Sequence, residues 1–102
     1  VLAAMQLTAE PPPDLGFQLD RHLESRARQL RACLGADCRA LAWPASTEPG
    51  LVRVMVEGGA AATIEAVREE TDALCRSLQD AIRCLGPCRD VTTLSERGPY
   101  DG

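Results

Sequence analysis

Five cysteines carry most of the reactive chemistry in this chain of 102 residues, and four of them fall in two matching segments. Cys33 and Cys38 lie in Arg31-Ala-Cys-Leu-Gly-Ala-Asp-Cys-Arg39, and Cys84 and Cys88 lie in Arg83-Cys-Leu-Gly-Pro-Cys-Arg89. Thiols so placed can form local disulfides, ligate a soft metal, or stay reduced and bury as small apolar groups. The first reading gives the bridges Cys33–Cys38 and Cys84–Cys88, with Cys75 left over. The second gathers Cys33, Cys38, Cys84 and Cys88 around one ion, on the expectation that both helices run the same way and end at one edge of a sheet. The third leaves five thiols beside apolar helix positions, Cys75 next to Leu74.

Spacing weakens the metal reading. Zinc ribbons pair cysteines at short intervals, and the four and three residues between these pairs stand at or beyond the wide end. A shared ion would also have to reach across two central strands, about 14 Å at the usual strand spacing. Cys84-Leu-Gly-Pro-Cys88 resembles the Cys-Gly-Pro-Cys of thioredoxins over five residues. It has one residue too many between its cysteines and follows a helix, whereas a reactive thiol gains from a helix N-terminus.

The remaining candidates are sparse. His22 is the sole histidine and falls one step from the apolar positions Leu19 and Leu23. Without a second histidine or a serine in a nucleophile elbow, no hydrolase apparatus is visible. Glu57-Gly58-Gly59, between a strand and a helix, could offer backbone amides to an anion, although the three-glycine dinucleotide spacing is missing. Glu69, Glu70 and Asp72 make the second helix acidic, and Arg21, Arg26, Arg28 and Arg31 make the first basic. Such faces are usually solvated; a complementary subunit contact is the sharper alternative.

Composition excludes several classes. A net charge of −4 and 3% aromatic residues argue against nucleic acid, which needs clustered positive charge and stacking platforms. All eleven basic residues are Arg, so lysine chemistry is absent. No apolar run approaches the roughly 20 residues of a membrane span. These features favour a cytoplasmic setting, and the missing initiator Met leaves export open. No cofactor is expected.

The elements that must position these residues follow from hydrophobic period and turn chemistry. Residues 1–8 read as a strand ended by Glu10 and three prolines. Asp14 then caps a helix with apolar positions Leu15, Leu19, Leu23, Ala27, Leu30 and Leu34, which Gly35 ends with a left-handed residue. Residues 38–43 and 51–57 form a hairpin of strands, the second rich in β-branched residues. A helix of about 25 residues is predicted from Ile64 through Ile82 and Leu85, stopped by Gly86-Pro87. A last strand spans 89–94, before a flexible C-terminal tail at 95–102.

The order β-α-β-β-α-β, with a pseudo-repeat of 1–50 on 51–94, predicts one α+β domain over 1–94. Its expected form is a ferredoxin-like sandwich, a four-stranded antiparallel sheet with two helices on one face. That resemblance rests on element order alone and does not fix function. The first strand has Leu2, Ala4 and Gln6 on one side and Ala3, Met5 and Leu7 on the other, and the third has Val52, Val54 and Val56 against Leu51, Arg53, Met55 and Glu57, so both sheet faces are partly apolar. The second sheet face is thus partly apolar and needs cover, for which subunit pairing is the usual remedy. The sequence therefore points to a non-enzymatic interaction or regulatory module that dimerises through its sheet and could take a protein partner. The alternatives are a small dimeric α+β-barrel enzyme acting on an apolar substrate, and a thiol-based metal or redox protein.

Overall fold

A computed structural model describes residues 1–92. The elements are β1 (Leu2–Leu7), α1 (Leu15–Leu34), β2 (Arg39–Pro44), β3 (Leu51–Glu57), α2 (Ile64–Ala81) and β4 (Leu85–Thr92). The strands form one antiparallel sheet in the order β2-β3-β1-β4, the ferredoxin-like arrangement expected from the element order. The proposed tail at 95–102 lies outside the described residues.

Alternation sorts the strands into two faces. Ala3 and Met5 of β1, Ala42 of β2, and Val52, Val54 and Val56 of β3 are buried against Leu15, Leu19, Leu23, Leu30 and Leu34 of α1 and Val67, Leu74, Cys75 and Leu78 of α2. Both helices therefore cover the same face. The cross-strand pairs Ala3↔Val54 and Met5↔Val52 keep these side chains level, so the helices meet a continuous apolar floor.

The helices run in opposite directions, which corrects the expectation that they run the same way. β2 and β1 both pair antiparallel to β3, so α1 returns to the starting end of β1. β4 pairs antiparallel to β1, so α2 delivers the chain to the other end, where the Thr8 amide donates to the Cys84 carbonyl at 2.9 Å. The contact between His22, early in α1, and Ser77, late in α2, follows from this geometry.

Helix ends show how local chemistry and tertiary pairing compete. Gly35 terminates α1 with φ +101° and ψ 155°, a positive φ that suits glycine, while its amide donates to the Arg31 carbonyl at 2.9 Å. Asp14 stands at the start of α1, but its carboxylate caps no backbone amide; it accepts from the Gln18 side chain at 2.9 Å. Thr63 caps α2, its hydroxyl accepting from the Ala66 amide at 3.1 Å.

The second helix ends at Ala81, well short of the predicted stop at Gly86-Pro87. Ile82 turns to φ −124° and ψ 107°, and β4 begins at Leu85, so Gly86 and Pro87 lie inside a strand. Proline is tolerated there because β4 is an edge strand and its pairing slips between Met5↔Cys88 and Leu7↔Leu85. Gly86 owes its place to crowding: a Cβ there would stand 2.9 Å from the Gln6 carbonyl oxygen.

Candidate functional site

The four repeated cysteines do not converge. Cys38 precedes Arg39, which pairs with Glu57 at the far end of β3, near the start of β1; Cys84 hydrogen-bonds beyond the end of β1. The length of β1 separates them, roughly 20 Å at about 3.3 Å per residue. A four-thiolate centre of Cys33, Cys38, Cys84 and Cys88 is therefore excluded by the opposed helices. No group of three or more metal-ligating side chains occurs among the described residues.

The thiols of Cys33, Cys38, Cys75, Cys84 and Cys88 are all unbridged. Cys33 is exposed on the last turn of α1, while Cys38 packs against the core. Cys84 lies in the turn before β4 and Cys88 inside it, four positions on and roughly 13 Å away by strand rise, whereas a disulfide needs Cα atoms within about 7 Å. Instead Cys88 faces Cys75 across the layer between β4 and α2, near enough to act on its ionisation. Sequence reading missed this pair because it joins two elements. The available signal was that Cys75 shares the buried stripe of Val67, Thr71, Leu74 and Leu78. Burial pushes the Cys75 thiol far above its ordinary range, with Cys88 and then Asp72 adding to the effect.

His22 is half-buried between the helices, its Nε2 at 2.8 Å from Ser77 Oγ. The Ser77 hydroxyl donates to the Leu74 carbonyl at 2.9 Å, which leaves its oxygen to accept from His22 Nε2–H. The serine proton is thus committed to a helix carbonyl, and the pair ties α1 to α2. Burial, and secondarily Arg26, hold the His22 pKa below its ordinary value. A lowered pKa means that the folded state favours neutral imidazole. Its contribution to stability is complete above about pH 6.5 and is lost as pH falls through the folded value. The denaturation midpoint of the wild-type chain is expected to drop between pH 7.5 and 5.5 more than that of His22→Gln, as chemical denaturation at each pH will show.

The Glu57-Gly58-Gly59 turn commits one of its amides within the fold. The Gly59 amide donates to the Leu34 carbonyl at 2.7 Å, and α2 starts only at Ile64. A Cβ on Gly58 would stand 2.6 Å from Val67 Cγ2, so this glycine serves close packing. On the outer helix faces, Asp72 pairs with Arg76 at 2.8 Å and Arg21 lies 5.8 Å over the Phe17 ring, while Glu69 is exposed. These are solvated surfaces in the chain alone.

The sheet face opposite the helices presents an ordered surface. Leu2, Met55 and Leu41 form one row across β1, β3 and β2, and Ala4, Arg53 and Trp43 form the next. Met55 and Leu2 are buried, whereas Leu41 is 38% exposed and Trp43 and Leu51 are half-buried. Arg53 Nη2 donates to Glu48 Oε1 at 3.1 Å, and its buried Nε has no partner among the described residues. A hollow of about 400 Å³ beside this row is lined by Asp20, Leu41, Ala42 and Trp43. Comparison with protein-family models, curated proteins and solved structures finds no match to this chain.

Proposed function

We propose that the chain is a non-enzymatic interaction module that pairs with a second copy of itself through the β2–β3 half of the sheet face opposite the helices. The observation that carries this reading is the row of Leu41 and Trp43 beside buried Met55, on a face that no described helix covers. Burying such a row is favourable by about 25 cal/mol per Å² of apolar surface, before the cost of association is subtracted. Apposed faces would bring the exposed part of each Arg53 guanidinium near acceptors of the other copy. A C2 arrangement needs only this one self-complementary patch.

Light scattering on Leu41→Asp tests the reading. The variant is expected to run at half the mass of the parent chain, because a carboxylate would be buried at the centre of the contact. Unchanged mass in a folded variant counts against pairing through this face.

A second reading, action on an apolar substrate, is favoured by the hollow of about 290 Å³ between α1 and β2, lined in part by Leu23, Ala27, Leu30, Ala40, Arg31 and Arg39. Its lining offers Cys38 as the one nucleophile and no histidine or carboxylate. Cys38 thus has no base in that lining to activate it, and the interaction reading stands first.

A further inference from the structure

Cys88 pairs across the strands with Met5, which is fully buried on the helix side of β1. Directly paired residues share a face, so Cys88 is turned toward the helices, and it packs against the core from the edge strand. Cys75 is fully buried on the stripe that α2 presents to the sheet. The two sulfurs thus occupy facing positions in one layer between α2 and β4. Cys88 is half-buried and can be approached from outside, whereas Cys75 lies behind it.

We infer that Cys75 and Cys88 form a dithiol site that is oxidised by low-molecular-weight disulfides to an intramolecular bridge locking α2 onto edge strand β4. The Cys88 thiolate attacks one sulfur of the small disulfide, forming a mixed disulfide and releasing one small thiolate. The Cys75 sulfur then attacks the Cys88 sulfur. The protein S–S bond forms, the mixed S–S bond breaks, and the departing thiolate takes the Cys75 proton. Two protein thiols are oxidised, and one small disulfide is reduced to two thiols. Burial keeps Cys75 protonated and inert toward the external reagent, so the order of attack is set by position.

The test incubates the full native chain with oxidised glutathione, quenches in acid, alkylates the free thiols in denaturant and maps the tryptic peptides. Cys75 and Cys88 are both expected to lose their free thiols without retaining glutathione, whatever glutathione adds to exposed Cys33. Peptide 69–76 should be linked to peptide 84–89, with the alkyl label on Cys84. Cys75→Ala should stop at glutathione on Cys88, and Cys88→Ser should leave Cys75 unreacted while the chain stays folded. A bridge joining Cys84 to Cys88, or Cys88 carrying glutathione while Cys75 stays free in the unsubstituted chain, overturns the proposal. Since the unsubstituted chain decides the linkage, poor folding of either variant leaves that result intact.

Discussion

Leu78→Ala is expected to lower the unfolding free energy by about 3 kcal/mol, within the roughly 2–5 kcal/mol range for removing a buried leucine side chain. Leu78 is fully buried on the stripe of α2 that meets the sheet, and it belongs to the cluster shared by both helices and β1, β2 and β3. The space left behind faces buried strand side chains and cannot collapse without moving α2. At roughly 4–8 °C per kcal/mol for a chain of this size, the melting temperature should fall by about 15 °C or more. Ile64→Ala on the same helix serves as the comparison. Ile64 is 47% exposed, and its loss should cost no more than about 0.5 kcal/mol. Comparable losses at the two positions in thermal denaturation would show that α2 does not seat its stripe as described.

Gly86→Ala should cost about 2 kcal/mol, even though alanine is usually the better residue outside turns. The added Cβ would stand 2.9 Å from the main-chain oxygen of Gln6 and 2.5 Å from Thr8 Cγ2. The threonine methyl can swing away, but the Gln6 oxygen belongs to β1, the central strand between β3 and β4. Overpacking against fixed backbone costs about 1–3 kcal/mol. Gly16→Ala supplies the opposite sign: nothing lies within 4 Å of a Cβ there, and the position is helical. Relief of glycine's helix penalty should raise stability by about 0.5–1 kcal/mol. Urea denaturation of the two variants measures both effects, and a neutral Gly86→Ala would mean that β4 does not approach β1 this closely.

The legible parts of the chain are those where one local rule governs. The spacing of Leu15, Leu19, Leu23, Leu30 and Leu34 is read correctly as one helix face because each of these residues is buried against the same sheet. Leu51–Glu57 emerges as a strand on its β-branched residues, and element order leads to the right sheet. The doubled Cys-Leu-Gly misleads because identical triplets meet different tertiary demands. At Cys33-Leu34-Gly35 it closes a helix with a positive φ; at Cys84-Leu85-Gly86 it opens an edge strand pressed against β1. Ile82 and Leu85 continue the helical spacing, yet both are buried from a turn and a strand, where no period distinguishes them.

The candidate sites follow the same division. Cys75 is passed over in sequence because its partner is set by β4 lying beside β1 and under α2, a pairing of distant segments. Helix direction misplaces the other cysteines: with the helices opposed, Cys38 and Cys84 lie at opposite ends of the sheet. The face opposite the helices is partly legible, since alternation parts Leu2 from Ala3 and Met55 from Val54, while the register Leu2↔Met55 decides which sides share a face. That Leu41 and Trp43 extend their rows depends on the register Leu41↔Met55 and Trp43↔Arg53, which only the folded hairpin determines.

Sedimentation equilibrium of the unsubstituted chain across nanomolar to high micromolar concentration tests self-association most directly. The proposed pairing predicts a concentration-dependent mass that reaches twice the 10.9 kDa of the chain and returns to it on dilution. A mass fixed at 10.9 kDa up to high micromolar concentration would contradict it.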